Sequence, residues 1–310
     1  MNNDFRVEHC CKNIDKKTIF QQNDEQEFVT ISGNNWQLTN CNSQSNYVKD
    51  LLGYVYALQL EKKYPKIKFK LYSHDRVELF EDIPTLVKSR LVSSDPKFSI
   101  LLNLNRERHF EEIEEVKKYD IPFDHKKNIL IWRGATTGYG FENNIPYRPF
   151  SRQVLVERYF SHPNQRIDVG YTNLVQGAKN KPRHYKHFMK DFVTTKDMLQ
   201  YKYILSVEGN DVATNMKWLL YSNSLIFMPK PFMESWILES QLIPYYHYIP
   251  VANDFSDLQI QLKWCDEHQE QCKTIIKNAR KYIEVYLNQK NEMEVIEKIL
   301  EKYIQNVIIE

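Results

Sequence analysis

The stretch that decides the fold is YKYILSVEGNDVATNMKWLLYSNSLIFMP, residues 201–229. An apolar run over 203–207 predicts a strand that ends in the polar turn 208–211. The spacing of apolar residues then predicts a helix over 212–221, and a second strand follows at 225–228. A strand, turn, helix and strand in this order indicate an α/β fold with parallel strands, in which ligands bind at turns beyond the carboxyl ends of the strands. A helix that begins at such a turn offers free N–H groups to a phosphate.

The composition excludes several broad classes of protein. The chain has 310 residues, 42% of them hydrophobic, and its net charge of only +2 does not suggest a nucleic-acid partner. The sequence contains no apolar run of about 18 residues, so we expect no transmembrane helix. The N-terminal sequence lacks the apolar core of a secretory signal, and the five cysteines follow no spacing typical of zinc ligands. We therefore expect a cytoplasmic protein with reduced thiols and no bound metal.

Outside 201–229, strands and helices are also expected to alternate. The first thirty residues are polar and are expected to be irregular, whereas 47–64 and 275–308 repeat apolar residues at helical spacing. A composition change at 120–124 predicts a domain boundary. We expect an N-terminal domain over 1–124, a second domain over 125–285, and a C-terminal helix over 286–310 that can pack back on the first domain.

The first candidate site follows the strand 126–132. Arg133, Gly134, Ala135 and Thr136 stand at its end, and Arg152 follows downstream. Arginine suits bidentate contacts with phosphate, and glycine lets the backbone approach a ligand closely. A structural arginine in an ordinary turn is the alternative. No Walker motif or G-x-G-x-x-G is present, so neither a P-loop nor a dinucleotide site is supported.

The second candidate site is the turn that follows the strand 203–207. Its polar residues are candidate contacts for a phosphate-bearing ligand: Glu208, Gly209, Asn210, Asp211, Thr214, Asn215 and Lys217. Lys217, early in the predicted helix, could reach a phosphate, or it could be a solvated lysine. Capping of the helix by Asp211 or Thr214 is the alternative for those two residues.

Further candidates lie on either side of these two turns. Glu239 could accept hydrogen bonds from sugar or ribose hydroxyls, cap a helix or pair with a lysine. His247 stands among aromatic residues, where a core histidine is the alternative to a role in a cleft. Asp75 and Asp82 are candidate general bases, because a carboxyl group with a reference pKa of about 4 is ionised at neutral pH. The remaining acceptor or cleft candidates are Lys88, Arg90, Arg108, His109 and Trp236.

Taken together, these segments resemble glycosyltransferase family 90, the CAP10-like group. The likeness is closest to the bacterial lipopolysaccharide core glycosyltransferases called LpsA, and more distant to Rumi-type protein O-glucosyltransferases. The matching segments, in chain order, are 86–90, 101–105, 108–110, 131–135, 201–203, 208–213, 217–218, 221–224, 235–236, 239 and 247–250. One such segment means little, but this many in one order are a specific signal.

The resemblance implies a GT-B fold, in which two Rossmann-like domains face each other across a cleft. It implies that 1–124 form the acceptor-side domain and that 125–285 form the nucleotide-sugar-binding domain. It implies inverting transfer of a hexose or pentose from a nucleotide sugar, expected to be UDP-linked, to a hydroxyl of a lipopolysaccharide core or other surface glycan. Arg152 matches a donor-binding arginine of the family, and Asp82 matches an aspartate that acts as the base in Rumi-type members. The different spacing around Asp82 keeps Asp75 in contention. The eukaryotic members have an arginine in place of Glu208, so its role stays open.

The chemistry of the residues agrees with this resemblance. The sequence contains no Asp-x-Asp, the usual carboxylate pair for a metal-bound nucleotide sugar, so we expect no cofactor and no metal requirement. The expected partners are the donor and a glycan or lipid-linked glycan, with at most peripheral contact with the inner membrane. The basic stretch 179–183 is a candidate contact for the acceptor or the membrane. A protein O-glycosyltransferase and a non-catalytic glycan- or nucleotide-binding relative are the alternatives.

Overall fold

Strands and helices alternate along most of the chain. A computed structural model describes residues 2–12, 14–22, 25–75, 83–92, 98–138 and 152–310. The strands are β1 (Thr18–Phe20), β2 (Phe28–Ser32), β3 (Asn35–Thr39), β4 (Ile67–Leu71), β5 (Thr85–Val87), β6 (Ser89–Leu91), β7 (Ser99–Leu101), β8 (Lys127–Ala135), β9 (Ile167–Asn173), β10 (Tyr201–Leu205), β11 (Leu225–Met228), β12 (Met233–Ser235), β13 (Ile249–Pro250) and β14 (Val307–Ile309). The helices are α1 (Asn3–Cys10), α2 (Asn46–Ala57), α3 (Leu60–Lys63), α4 (Arg106–Phe110), α5 (Glu112–Tyr119), α6 (Arg152–Tyr159), α7 (Pro182–Tyr185), α8 (Thr195–Met198), α9 (Met216–Tyr221), α10 (Leu258–Glu267), α11 (Gln269–Glu284) and α12 (Gln289–Asn306).

The chain forms two compact units. Unit 1 consists of Met1–Arg108, Met233–Leu238 and Val285–Glu310, and unit 2 consists of His109–Phe232 and Glu239–Glu284. The domain boundary that the sequence predicts at residue 124 stays a prediction. No helix in the described ranges is long and apolar enough to cross a membrane.

Unit 2 is built on a five-stranded sheet in which all strands are parallel. Its strand order is β13-β11-β10-β8-β9, which is 2-1-3-4-5 when these strands are numbered along the chain. Its strands are apolar because helices such as α6 and α11 pack on the sheet. In this strand order the connections reverse direction between β8 and β10, and a ligand crevice is expected beyond the carboxyl ends of those two strands. The predicted α/β architecture with a parallel sheet is therefore confirmed.

Unit 1 contains a mixed sheet, with strand order β3-β2-β4-β5-β7. Strands β4, β5 and β7 are parallel, while β2 runs antiparallel to both β3 and β4. The expectation that the first thirty residues are irregular is wrong, because they contain α1, β1 and the start of β2. Each element is too short to give a clear period, yet Val7, Cys10, Phe28 and Val29 are all buried.

The C-terminus is helical, as its apolar stripes predict. Val295, Ile299 and Tyr303 are completely buried on α12, and the hydroxyl of Tyr303 donates to the carbonyl oxygen of Pro84 at 2.7 Å. The helix ends at Asn306, and the following residues form β14, which pairs in parallel with β1.

Candidate functional site

Two glycine turns touch at the carboxyl ends of β8 and β10. Gly138 has a φ of +77°, and a Cβ atom there would lie 2.7 Å from the carbonyl oxygen of Gly209. The N–H of Gly138 donates to Oδ1 of Asn210 at 3.1 Å, and the amide of Gln176 donates to the same oxygen at 2.8 Å. The loops that follow β8, β9 and β10 therefore meet on one side chain, at the point where the strand order predicts a ligand crevice.

Arg152 holds the same two turns together. Its guanidinium donates to the carbonyl oxygen of Val207 at 2.8 Å, to that of Ala135 at 3.1 Å, and to Oγ1 of Thr137 at 2.5 Å. The guanidinium also lies over the ring of Trp132, 5.6 Å from its centroid. Because all three of its nitrogens take part in these contacts, Arg152 acts here as a rigid fork between backbone segments.

Arg133, expected to face a phosphate, is directed towards the neighbouring strand β9. Its guanidinium donates to the carboxylate of Asp168 at 2.8 Å and to the Asp168 carbonyl at 3.0 Å, and only 8% of its side chain is exposed. Lys190 binds the other carboxylate oxygen at 2.5 Å. Burial tends to raise the pKa of Asp168, but its hydrogen bonds with Arg133 and Lys190 outweigh burial and lower it. Arg133 therefore links β8 to β9, which agrees with the alternative of a structural arginine.

Gly134 and Thr136 serve local packing at the end of β8. A Cβ atom on Gly134 would lie 2.7 Å from the indole of Trp132. Thr136 is buried, and its hydroxyl both donates to and accepts from the backbone of Val175, at 3.1 and 2.8 Å. These contacts fix the start of the turn that ends at Gly138.

The helix predicted to begin at Val212 begins instead at Met216, so residues 206–215 form a loop. Asn215 explains the delay, because its amide donates to the carbonyl oxygen of Leu205 and its Oδ1 accepts from the hydroxyl of Ser206 at 2.9 Å. Neither Asp211, which is buried, nor Thr214 caps the helix. The polar residues of 208–215 are therefore presented by a loop and not by the first turn of a helix, and the phosphate site stays a prediction.

A narrow pocket opens beside this loop, beyond the carboxyl ends of β10 and β11. Its polar residues are Ser206, Glu208 and Glu239, and its apolar lining consists of Val212, Ala213, Met216, Met228, Pro229 and Pro231. Carboxylates accept hydrogen bonds from hydroxyl groups and repel phosphates, so the pocket suits an uncharged, hydroxyl-bearing group.

Both carboxylates of the pocket are held in place. Glu239 is buried and accepts from the ammonium of Lys217 at 3.1 Å, with side-chain exposures of 4% and 2%. Lys217, expected to reach a phosphate, therefore neutralises a carboxylate instead. Glu208 accepts from the backbone N–H of Phe232 at 2.9 Å, which ties the proline-rich loop 229–232 to the pocket.

Of the two candidate bases, Asp75 lies within the described ranges and Asp82 lies outside them. Asp75 accepts from Tyr47 at 2.7 Å, from Lys88 at 2.8 Å and from Arg108 at 2.8 Å. Burial tends to raise the pKa of Asp75, but the charge of Lys88, the hydrogen bonds from Lys88 and Tyr47, and the charge of Arg108 outweigh it. The pKa of Asp75 is therefore far below its ordinary value, which makes this carboxylate a weak base.

Two of the cleft candidates lie inside unit 1. Arg90 is 1% exposed, and its guanidinium donates to Glu234 at 2.8 Å and to the carbonyl oxygens of Ser99 and His9. Trp236 is also buried, and its indole N–H donates to the carboxylate of Glu292. Both side chains bind structural partners within unit 1.

The two histidine candidates are buried in unit 2. His109 is 4% exposed, on α4. His247 accepts from the backbone N–H of Ile243 at 2.9 Å and packs edge-on against Tyr246 and Tyr282. Burial lowers the pKa of His247 to about 4, so its imidazole is neutral at neutral pH. His247 thus occupies the structural position that the sequence left as its alternative.

Two residues of this region were missed in the sequence. Asp168 and Gln176 are the partners of Arg133 and Asn210, respectively. The signal for Asp168 was a single acidic residue inside the short apolar run of β9. Gln176 carries no signal, because its partner is distant in the sequence.

Comparison with known proteins agrees with the resemblance in the sequence. The model of a glycosyl transferase family, family 90, matches residues 102–308. The chain belongs to glycosyltransferase family 90. The family predicted from the sequence is confirmed, and with it the prediction that the chain is a glycosyltransferase.

Relatives within this family carry glucosyltransferase names. O-glucosyltransferase LpsA of Dichelobacter nodosus is 33% identical over 259 residues, which cover 84% of this chain and 72% of that protein. Protein O-glucosyltransferase 2 of Danio rerio is 29% identical over 110 residues, which cover 35% of this chain and 22% of the relative. A crystal structure of a glycosyltransferase from Rickettsia africae aligns with a TM-score of 0.48 and 12% identity, covering 86% of this chain and 84% of that one.

Proposed function

We propose that this family 90 glycosyltransferase transfers a hexose or pentose from a UDP-linked sugar to a hydroxyl of a lipopolysaccharide core or other surface glycan, with inversion and without a metal. The observation that carries the proposal is the meeting of the Gly138 and Gly209 turns beside a pocket with two carboxylates, in a confirmed glycosyltransferase. The name of the Dichelobacter nodosus relative, an O-glucosyltransferase, supports glucose as the sugar. Cytoplasmic location and the GT-B arrangement are parts of the same proposal.

The proposed donor site divides into two parts. The carboxylate of Glu239 accepts from the vicinal hydroxyls of the ribose, because Lys217 holds it in position and no charge on the ribose opposes it. The diphosphate lies against the turns around Gly138 and Gly209, where the backbone can approach closely. Arg152 contributes by fixing both turns and by its positive charge, which favours the departing diphosphate.

The proposed reaction is a single displacement. The base takes the proton of the acceptor hydroxyl as its oxygen attacks the anomeric carbon, and the bond to the diphosphate breaks on the opposite face. We assign the base to Asp82. Asp75 is the weaker choice because two cations and a tyrosine hydroxyl hold it ionised, and a carboxylate of very low pKa takes up a proton poorly.

The donor is tested first by thermal unfolding of the full chain with UDP-, GDP-, ADP- and CMP-sugars. A rise in melting temperature that is selective for UDP-sugars is expected, because ligands that bind only the folded state stabilise it by mass action. Transfer from UDP-glucose to a lipopolysaccharide core saccharide is then measured with and without a chelator. The anomeric configuration of the product is read by NMR. Transfer that stops with chelator, or a product that retains the donor configuration, contradicts the mechanism.

The base is tested with two variants. Asp82→Asn is expected to bind UDP normally and to lose transfer. Asp75→Asn is expected to be less stable, since it leaves the buried ammonium of Lys88 without its carboxylate, and to retain transfer in proportion to its folded fraction. Full activity of Asp82→Asn would move the assignment to Asp75.

Protein O-glucosylation is the second candidate function, and the similarity to protein O-glucosyltransferase 2 favours it. That similarity covers 22% of the relative. A folded protein domain supplied as acceptor in the same assay separates the two functions, since each predicts transfer to only one of the two acceptors.

A further inference from the structure

A basic surface lies on unit 2, on the segment that follows β9. The segment contains a 3-10 turn (Gln176–Asn180), α7 and a second 3-10 turn (Lys186–Phe188). It is fixed to the sheet by two completely or almost completely buried residues, Ala178 and Tyr185. The ring of Tyr185 packs edge-on against Tyr171, at 6.2 Å between centroids. The N–H of Lys190 then donates to the carbonyl oxygen of Tyr171 at 2.8 Å. The segment therefore has a defined position against the edge strand.

Four cations project from this segment: Lys179, Lys181, Arg183 and Lys186, all exposed. No ion pair is formed by any of the four within the ranges that the structure describes. Residues 176–192 contain five Lys or Arg residues and one Asp, a net charge of +4, although the whole chain carries only +2. The remainder of the chain is therefore slightly acidic, and the positive charge is concentrated here.

An exposed phenylalanine follows the last of these cations by six residues in the chain. Phe192 is 76% exposed, the highest value for a large apolar side chain among the described residues. Three acidic groups belong to this segment or pair with it. Asp191 is exposed, Glu157 lies 3.7 Å from His184, and Asp168 forms ion pairs with Arg133 and Lys190. Exposed lysine and arginine beside an aromatic side chain are typical of surfaces that adsorb to anionic lipid. The cations are attracted to the headgroups and the ring enters the interface.

We propose that this basic surface, formed by Lys179, Lys181, Arg183, Lys186 and Phe192, docks the protein on an anionic lipid bilayer. The proposal deepens the proposed function, since a lipid-linked acceptor would be met at such a surface, but the docking itself requires only lipid. Each cation is expected to strengthen binding about 5-fold near an anionic surface, so the four together contribute roughly 500-fold. Such binding weakens with salt, because the screening length falls from about 10 Å at 0.1 M to about 3 Å at 1 M salt.

The test is sedimentation of the full chain with vesicles. Vesicles of phosphatidylcholine alone are compared with vesicles that also contain phosphatidylglycerol, at low and high salt. One variant replaces the four cations of the basic surface with glutamine. A matched control replaces four exposed lysines of unit 1 with glutamine: Lys16, Lys17, Lys62 and Lys66. Both variants lose the same net charge, and thermal unfolding confirms that both are folded.

The expected result is binding to the anionic vesicles only, reduced at least 100-fold in the first variant and nearly unchanged in the control. Phe192→Ser should weaken the binding that survives at high salt. Equal losses in the two variants, equal binding to neutral vesicles, or binding to heparin with none to vesicles would each overturn the proposal. Transfer from UDP-glucose to a lipid-free saccharide is measured on the same preparation. Absence of transfer there bears on the proposed function alone, and absence of vesicle binding on the docking surface alone.

Discussion

Replacement of Gly209 with alanine tests the contact between the two turns at the centre of the proposed donor site. The added Cβ atom would lie 2.6 Å from Oγ1 of Thr137 and 3.0 Å from a guanidinium nitrogen of Arg152. Oγ1 of Thr137 accepts from the other terminal nitrogen of Arg152, and the nitrogen near Gly209 donates to the carbonyl oxygen of Val207. Neither atom can therefore retreat without loss of a hydrogen bond. Overpacking of this kind costs about 1–3 kcal/mol, and we expect a loss of folding stability in that range.

Three further glycines provide the controls, because they separate backbone strain from lack of space. Gly33 has a φ of +56° with open space around it, and Gly53 has neither strain nor a close neighbour. Gly138 combines a positive φ with the contact to the Gly209 carbonyl. Alanine in a left-handed conformation costs roughly 1–2 kcal/mol, so Gly33→Ala measures that strain alone. On the exposed face of α2, Gly53→Ala should stabilise by up to about 1 kcal/mol.

Calorimetric unfolding and titration with UDP provide the two measurements. We expect Gly53→Ala to be the most stable of these three variants, Gly33→Ala to be less stable and Gly138→Ala to be the least stable. Only Gly138→Ala and Gly209→Ala are expected to lose UDP affinity. The reasoning is refuted if Gly209→Ala is as stable as Gly53→Ala, or if Gly138→Ala costs no more than Gly33→Ala. Loss of UDP affinity in the Gly33 or Gly53 variant would show that the affinity does not report on the turns.

Three other predictions concern side chains of unit 2 that are buried or partly buried. Glu239→Gln removes the carboxylate that pairs with the buried ammonium of Lys217 and should cost about 3–5 kcal/mol in unfolding. Adding Lys217→Met should restore most of that stability but not UDP binding, and wild-type binding by the double variant would exclude the ribose contact. Arg152→Lys keeps the positive charge but loses the guanidinium hydrogen bonds that join the two turns, so the melting temperature and the UDP affinity should fall together. A fall in UDP affinity alone would indicate that Arg152 binds the phosphate directly. Burial lowers the pKa of His247 to about 4 from 6.5. Between pH 6.5 and pH 4 the imidazole of His247 is therefore protonated in the unfolded chain but not in the folded chain. The free energy of unfolding should fall by about 2 kcal/mol as the pH drops through this range, a value that is already reduced for solvent screening. Denaturant unfolding should show this slope flattened in His247→Asn and retained in the exposed control His125→Asn.

The sequence predicted the parallel sheet of unit 2 well, because its strands are buried on both faces and read as continuous apolar runs. The strand prediction at 225–228 coincides with β11. The N-terminal elements were missed for the opposite reason. Strand β1 has three residues, and its partner β14 lies at the other end of the chain, so no local pattern marks it.

Within the candidate site, the turns were easier to predict than the directions of the side chains. Arg133 and Lys217 lie close to the two predicted turns, but each binds a carboxylate that is distant in the sequence, Asp168 and Glu239, respectively. The alternation of side chains along β8 decides the direction of Arg133. The start of α9 at Met216, four residues later than predicted, alters the position of Lys217. That delay depends on hydrogen bonds from Asn215 to the end of β10, which spacing alone does not reveal.

The path of the chain between the two units has a consequence for synthesis on the ribosome. Unit 2 is nearly continuous, so all five strands of its sheet have been made by residue 250. Unit 1, in contrast, must wait: β6 pairs with β12, and Thr18 of β1 pairs with Val307. At about 5–20 residues per second, β1 spends roughly 15–60 s without its partner. Unit 2 is therefore expected to be complete before unit 1, although it starts second. The mixed sheet of unit 1 is made by residue 101, so the segment that waits longest for its partner during translation, exposed to chaperones and to aggregation, is the one that contains β1.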